Sequence, residues 1–483
     1  MKNKIIIIIV GILIIALGAS WYIFVQIPKQ IEEEFIASIP NDMKVVYGNF
    51  NVDPIAQKIT IEQTNISHKY LPFYINADIT EIKRNGDDEI AFKTNKLKLD
   101  SSDTNYNFSV EELKINSIKH KIVSEILKKF QESPEEGFTS LNTESSKIIE
   151  NVTAKNLNLM IEEDNHNIDD LNIAYIGQGT INNLILKNYE FNQETKKEKA
   201  LFKKIHVIGF PLINPNENRD ILLKKIGSNE IIFDNIEISG IEYYKSKKDP
   251  IIIDDINFQK PLFGVSNNEY TYFKSLGLDV NGIKIPLNKT PKEFQEIISK
   301  YHKSEFLGAN IGFEFKSDHI EGNLGTDIKL GLQDLGNLSV GVALSGTPSE
   351  VYDMLSNDID MLNQDAIFKN FISNAKLNES SIVFTELGLL DKYFSQTANE
   401  RNVTKESIVS EIQQMLDIEL NNSKSEKKKE AINNLKEFLL SPKELQISAI
   451  PQNPLQLQTI PGLFFMDRDQ LSEIIDLKVS IIK

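Results

Sequence analysis

The chain has 483 residues, with 53 Lys and Arg against 69 Asp and Glu, and a formal net charge of −16. This acidic balance argues against nucleic acid as a partner, because phosphate binding needs concentrated basic surface. The chain has no cysteine, which excludes disulfides, thiol chemistry and thiolate metal sites. In an extracytoplasmic protein of this length, that composition is more typical of a bacterial periplasm than of a eukaryotic secretory route.

The first predicted element is the uncharged apolar run Ile5–Val25. About 20 apolar residues cross a bilayer core as a helix, so the run predicts a transmembrane helix and signal anchor. Lys2 and Lys4 precede it, which predicts a single-pass protein of the bacterial inner membrane with a cytoplasmic N-terminus and a periplasmic bulk. A signal peptide cleaved near Gly18–Ser20 and a buried core helix are the alternatives. The residues chosen to mark the span are Ile5, Val10, Leu17, Trp21, Tyr22 and Val25.

Ile31–Ile39 is a short amphipathic segment next to the predicted span. Beyond it, apolar residues alternate with polar ones, which is typical of half-buried antiparallel strands. Asn85-Gly86 is a hairpin signal, and Asn281-Gly282 predicts a bulge or turn. Gly177-Gln178-Gly179 lies inside an alternating pattern and lacks the following helix that a phosphate cradle needs, so it predicts a β-bulge. The predicted strands are Lys58–Ile66, Tyr70–Lys83, Glu89–Leu99, Phe108–Ile118, Ile148–Ile161, Leu171–Leu186, Phe202–Ile208, Ile231–Ile238, Ile251–Phe258, Tyr270–Leu287, Ala309–Lys316, His319–Leu330, Gly336–Ser345 and Glu379–Leu387.

Helical spacing interrupts this rhythm and then dominates the C-terminal part. Ile122–Phe130 has a single apolar face, Thr290–Glu293 is a helix start, and Pro348–Leu377 is predicted as a helical connector. The C-terminal helices are predicted at Leu389–Ala398, Thr404–Leu420 and Ala431–Leu440, with closing strands at Glu444–Ile450 and Leu477–Ile481.

These patterns predict an α+β protein. An N-terminal transmembrane helix is followed by a long, curved, mostly antiparallel β-sheet with helical insertions and a helical C-terminal part. The predicted parts are residues 1–30, the cytoplasmic tip and anchor; 31–388, an elongated β-rich periplasmic domain; and 389–483, a helix-rich part with closing strands.

No catalytic, cofactor-binding or metal-binding residue is predicted, and no cofactor. Ser425–Lys428 matches a Ser-x-x-Lys pattern only inside a charge run and is interpreted as a chance match. The histidines lack metal-ligand spacing and are interpreted as scattered: His68, His120, His166, His206, His302 and His319. Paired acids are interpreted as residues of solvated turns: Asp87-Asp88, Asp169-Asp170, Asp254-Asp255 and Asp467/Asp469.

The remaining candidate is the apolar face of the sheet. Such a face is normally core, but the alternative is an open groove for acyl chains, in which lipid replaces protein as the cover. The candidate lipid-facing residues are Ile311, Phe313, Phe315, Leu338, Val340, Val342 and Leu344.

Segments near both ends carry a resemblance to a known group. Asn378–Asp391, Phe438–Ser448, Pro451–Pro454, Leu332–Val340 and Val52–Ile61 together resemble uncharacterised alphaproteobacterial envelope proteins, similar to the AsmA-like and YdgA-type group. The resemblance implies an anchored periplasmic protein with an elongated β-sheet. It also implies a link to outer-membrane homeostasis and phospholipid movement along a β-groove, and it brings no catalytic residues.

Three hypotheses for function follow. The first is a non-enzymatic protein that supports envelope assembly or homeostasis by holding lipid acyl chains in an apolar β-groove. The second is a structural or adaptor protein that binds a protein partner through a packed sheet. The third is an envelope enzyme whose site is assembled from distant residues. The expected partners are membrane lipid and an envelope protein, and not nucleic acid.

Overall fold

The structure, a computed structural model, describes twelve stretches of the chain and a few residues outside them. The stretches are 43–68, 73–101, 106–133, 146–211, 235–245, 249–265, 271–290, 305–318, 321–348, 361–423, 425–463 and 474–482. The remaining described positions are 32–33, 35–37, 39, 136–137, 140–141, 144, 292 and 295. Described residues up to Pro250 belong to one compact unit, and those from Ile251 onward belong to a second.

The first unit is an antiparallel sheet in which neighbours in the chain are neighbours in space. β3 to β10 pair in chain order, β12 pairs with β10, β11 pairs with β9, and β1 and β2 both pair with β3. Its elements are β1 Met43–Val46, β2 Phe50–Asp53, β3 Lys58–His68, β4 Phe73–Arg84, β5 Glu89–Ser101, β6 Tyr106–Lys119, α1 His120–Glu132, β7 Lys147–Ile161, β8 Asp164–Gly177, β9 Thr180–Gln193, β10 Glu198–Ile208, β11 Phe210–Pro211 and β12 Asn235–Lys245.

One apolar face of this sheet forms the core of the first unit. Ile118 and Ile90 are buried there, and α1 adds Val123 and Ile126 to the same cluster. The predicted helix Ile122–Phe130 is confirmed as part of α1, and its apolar spacing is what turns these two residues towards the sheet.

A cross-strand row of residues interrupts the pleat of the first unit, and Asn151 on β7 and Asn183 on β9 also have positive φ outside this row. Every second strand places a residue with positive φ in this row, which we call the central row. The strand registers bring these residues opposite one another through the intervening strands. The positive-φ members are Gln63, Lys96, Asn156, Asn188 and Gly240, and their neighbours on the strands between are Asp78, Glu111, Asp169 and Lys203.

The central row shifts the alternation of each strand by one residue. On β6, Phe108, Val110 and Leu113 therefore lie in one cluster, although strict alternation would send Leu113 to the opposite face. The apolar positions accordingly run i, i+2, i+5, i+7, as in Leu184, Leu186, Tyr189 and Phe191 on β9. On β6 the shift keeps apolar residues from both sides of the central row on the same face of the sheet.

The second unit repeats the chain-order pairing. β13 to β19 pair in sequence, β21 pairs with β19, and β20 pairs with β18. Its strands are β13 Ile251–Val265, β14 Thr271–Pro286, β15 Phe306–Asp318, β16 Asn323–Leu332, β17 Gly336–Ser345, β18 Lys376–Glu386, β19 Glu444–Pro451, β20 Leu455–Gln456 and β21 Ile475–Ile482. Its α-helices are α2 Met361–Asn374, α3 Leu389–Arg401, α4 Lys405–Asn422, α5 Glu426–Leu440 and the short α6 Ile460–Leu463, with 3-10 turns at Leu287–Lys289 and Leu457–Thr459.

Side-chain caps fix the starts of two of these helices. The Thr404 side chain accepts a hydrogen bond from the backbone N–H of Ser407, and that of Ser425 accepts one from Lys428. The Ser425–Lys428 match is therefore an N-cap with its third helical residue, which explains both residues without catalysis.

The predicted fold class needs correction. Within the described stretches no helix combines the length and apolar character needed to cross a membrane. The predicted span Ile5–Val25, with its marker residues, lies outside those stretches. In place of an α+β protein with a transmembrane helix, the described residues of each unit form an antiparallel sheet. Among the described helices, α5 packs its apolar side on β19 and β21 and exposes its opposite side to solvent. The membrane, single-pass and signal-anchor assignments are therefore unsupported, while the predicted domain limits at 30 and 388 and the inner-membrane location stay predictions.

Two local predictions were also wrong. Gln178 and Gly179 are the turn between β8 and β9, with φ of 54° and 68°, so the predicted strand Leu171–Leu186 is two strands joined by a hairpin. Asp169-Asp170 and Asp254-Asp255 lie within strands. In contrast, the predicted bulge at Asn281-Gly282 is confirmed by a register shift between β14 and β15.

Candidate functional site

An exposed apolar strip crosses four strands of the second unit. Ile311 pairs with Leu330, which pairs with Leu338, and the parallel row runs from Phe313 through Ile328 and Val340 to Ile382. These seven residues are the apolar strip. At about 4.8 Å between strands, it extends about 14 Å across the sheet.

The strip is open to solvent over most of its members. Ile328 is 49% exposed and Ile382 44% exposed, and Ile311, Leu330 and Leu338 are exposed to a similar degree. Single exposed aliphatic residues are common, but five contiguous ones on a regular surface indicate a place where another molecule binds.

The same face is covered further along the sheet by a helix. Phe438 of α5 packs on Leu445 of β19 and Val479 of β21, all three buried. Ile447 pairs with Ile382 on one side and Val479 on the other, so the covered and exposed parts belong to one continuous row. The row from Phe313 to Ile382 is thus the part of this continuous row that α5 does not cover.

The opposite face of the same strands is polar. Lys329 pairs with Gly312 and Ser339, and the Ser339 hydroxyl donates to Asp327 Oδ1 at 3.0 Å. The contrast between the two faces follows from strand alternation, which sends Lys329 to one side and its neighbours Ile328 and Leu330 to the other. Charges and hydroxyls on this side make it a solvated surface.

The candidate lipid-facing residues fall into three groups. Ile311, Phe313, Leu338 and Val340 belong to the strip. Phe315 and Val342 lie in the next row, which Thr326 and Ser380 make more polar. Leu344 is buried, at 7% exposure, between Leu324 and Leu377.

Sequence reasoning left three strip residues out of the candidate set. Ile328 and Leu330 stand in an alternating pattern that could have found them, because their register partners were already chosen. Ile382 also alternates within its predicted strand. Its exposure depends on which part of the sheet α5 covers, and that is set by tertiary packing and not by the local sequence.

The titratable groups offer no competing chemical site within the described stretches. His166 Nδ1 lies 2.8 Å from Tyr189 Oη, and His206 Nε2 lies 2.7 Å from Asn183 Oδ1. Burial lowers the pKa of His166 and of His120 and raises that of Tyr189. His302 and His319 lie outside the described stretches.

Elsewhere in the first unit, the pKa of one tyrosine is strongly raised. Burial and the hydrogen bond to Glu32 raise the pKa of Tyr47 to about 12.

Among the residues that the structure describes, no group of three or more His, Cys, Asp or Glu could hold a metal ion.

Comparison with known proteins adds one finding. A family model described as an uncharacterized protein matches residues 329–481, which extend from β16 into β21. No curated protein matches the chain. The match covers less than half of the chain and names no activity, so the resemblance to AsmA-like proteins stays a prediction.

Proposed function

We propose that this protein is non-enzymatic and holds lipid acyl chains on the apolar strip, in support of bacterial envelope assembly or homeostasis. The observation that carries the proposal is the strip itself: five exposed aliphatic side chains in adjoining cross-strand pairs, without a charge among them. Covering this surface with hydrocarbon removes apolar area from water without leaving a polar group unpaired.

The composition of the strip favours an acyl chain over a protein. Protein interfaces concentrate their binding energy in Trp, Tyr and Arg, whereas Leu and Val contribute less often. The strip has none of those three residues and consists of Ile, Leu, Val and a single Phe. The backbone groups beneath it are already paired in the sheet, so a ligand need not supply hydrogen bonds.

The second candidate is an adaptor that binds a protein partner through its sheet. It is favoured by α5, which covers β19 and β21 and shows that a helix fits this face. A partner helix laid beside α5 would extend that cover over the strip.

A photoreactive fatty acid tests the first function on the full-length protein. We expect crosslinks, mapped by mass spectrometry, on β15 to β18. Leu330→Asn should weaken binding about tenfold, since it loses apolar contact and adds an amide that hydrocarbon cannot pair. Lys329→Asn is the matched control, because it lies next in the chain but on the polar face, and it should bind as the parent does.

Three results would count against acyl binding. They are no crosslinking at all, crosslinks concentrated away from β15 to β18, and equal losses in both variants. The adaptor function would gain if the strip captured no lipid and Leu330→Asn still abolished a protein complex.

A further inference from the structure

A cleft of about 610 Å³ lies among α3, α4, the end of α5 and the end of β18, separate from the apolar strip. Ligand sites of this kind commonly enclose about 300–1,000 Å³ and combine apolar walls with a few polar groups. Leu390, Phe394, Val409 and Leu439 supply apolar walls here. Phe394 is itself buried in the cluster that holds α3 against α4, so this part of the cleft is set by the packing of the two helices.

A carboxylate is fixed in the lining by the start of α3. Glu386 Oε1 accepts the backbone N–H of Gly388 at 2.8 Å and that of Leu390 at 2.9 Å. Gly388 has a φ of 130°, and a Cβ there would approach Asp334 O to 2.9 Å, so the turn that presents these N–H groups requires glycine. The two hydrogen bonds hold the carboxylate in one orientation.

The second oxygen of the Glu386 carboxylate accepts no hydrogen bond from the described residues. This atom, Oε2, is also buried. Because this oxygen is screened from water, a ligand in the cleft acts on the carboxylate through its charge and not through a hydrogen bond to Oε2. A cation is attracted most strongly, because charges interact more strongly where water is excluded.

The other charged residues of the lining favour the same ligand. Asp391 and Lys405 form an ion pair, and Glu406 lies beside them on α4. Three carboxylates against one ammonium leave the cleft with a formal net charge of −2. Low-dielectric walls lined by one sign of charge concentrate ions of the opposite sign.

We propose that this cleft binds an organic ammonium with an apolar body. The apolar part lies against Leu390, Val409 and Leu439, and the ammonium lies on the side of Glu386. The proposal is independent of acyl binding at the strip, because no strip residue lines the cleft.

Calorimetric titration of the full-length protein with three isosteric probes tests this site. The probes are phenylbutylamine, phenylbutanol and phenylbutyrate, which are cationic, neutral and anionic. We expect the amine to bind about tenfold tighter than the alcohol, with an affinity that falls as salt rises, and the acid to bind weakest.

Two variants test whether the preference for the amine over the alcohol arises in this cleft. Glu386→Gln keeps an oxygen for the N–H groups of Gly388 and Leu390 but removes the charge, so it should lower the amine affinity about tenfold and leave the alcohol unchanged. Glu411→Gln is the control on α4, because Glu411 pairs with Arg401 at 2.9 Å and does not line the cleft. It should bind as the parent does.

If Glu386→Gln does not fold, Ser410→Trp tests whether the amine binds in this cleft. Ser410 is an exposed residue of the cleft lining, so its enlargement fills the cleft without disturbing the core. It should abolish binding of amine and alcohol alike. Equal affinity for all three probes, no binding of the amine, or an unchanged amine affinity in Ser410→Trp would overturn the proposal.

Discussion

At the scale of single residues, the central row sets the geometry of the first unit. Its left-handed positions are occupied by Asn, Gly, Lys and Gln, of which Asn and Gly adopt positive φ most readily. The side chains of the row pair across the strands: Lys96 reaches Asp78 Oδ2 at 2.8 Å, and Asn188 Nδ2 donates to Asp169 Oδ2 at 2.9 Å. These contacts are on the surface and contribute modestly to stability, so the backbone conformation is the larger constraint.

Gly240 tests that constraint. A Cβ there would lie 2.6 Å from Lys203 Cβ at a φ of 61°, so Gly240→Val combines a steric clash with a backbone conformation that a β-branched residue avoids. We expect the free energy of unfolding to fall by about 1–3 kcal/mol, measured by urea denaturation.

The matched control for this prediction is Gly325→Val. Gly325 also lies within a strand, its φ is not positive, and no atom lies within 4 Å of the position that a Cβ would occupy there. Valine suits a strand, so stability should change by less than about 0.5 kcal/mol. Equal losses in the two variants would show that the central row does not constrain the backbone.

At the scale of the elements, α5 decides which part of the apolar face in the second unit is covered. Phe438 is 4% exposed and its ring meets that of Phe384 edge-on, with centroids 6.2 Å apart. Asn434 adds a hydrogen bond from its Nδ2 to the carbonyl oxygen of Val479 on β21. The helix is therefore held to the sheet by apolar packing supplemented by a polar contact.

Removal of the Phe438 ring should loosen this helix. Phe438→Ala leaves a cavity over β19 and β21 and should cost about 3–5 kcal/mol of unfolding free energy in urea denaturation. Glu437→Ala, an exposed neighbour on the same helix, should stay within about 0.5 kcal/mol of the parent. A small effect of Phe438→Ala would mean that α5 contributes little to the stability of the sheet.

Local patterns were enough to predict most strands and helices but not how the pattern continues through the central row. The shift at Asn156 depends on the partners Glu111 and Asp169, which are distant in the chain, and strict alternation does not anticipate it. The Gly177–Gly179 hairpin was missed because Gln178 is an unusual residue for such a turn. More than half of the strip was found by alternation, while Leu344 was wrongly grouped with exposed residues because covering elements are set by tertiary packing.

At the scale of the whole molecule, each unit has hydrophobic clusters of its own. Ile118, at 0% exposure, lies in a cluster made wholly of residues from the first unit, whereas Phe438 belongs to one made wholly of residues from the second. Because the clusters are separate, we expect a cavity in one unit to lower the local stability mainly of that unit.

Hydrogen exchange followed by mass spectrometry checks this expectation. Ile118→Ala should lower stability by about 2–5 kcal/mol and accelerate exchange in β5, β6 and β7, while β15 to β19 remain as in the parent. Ile55→Ala changes a residue of the first unit that is 96% exposed and should have no measurable effect. Equal acceleration in both units would show that they open together.

Pairing between chain neighbours also has a consequence for how such a protein changes length in evolution. A hairpin gained or lost by duplication or deletion disturbs only the two strands that flank it, provided that it carries the i, i+2, i+5, i+7 spacing. A single inserted residue inside one strand, by contrast, displaces that strand's member of the central row and turns the rest of its apolar residues outward. Homologues are therefore expected to differ by whole hairpins and to keep strand lengths fixed around the central row.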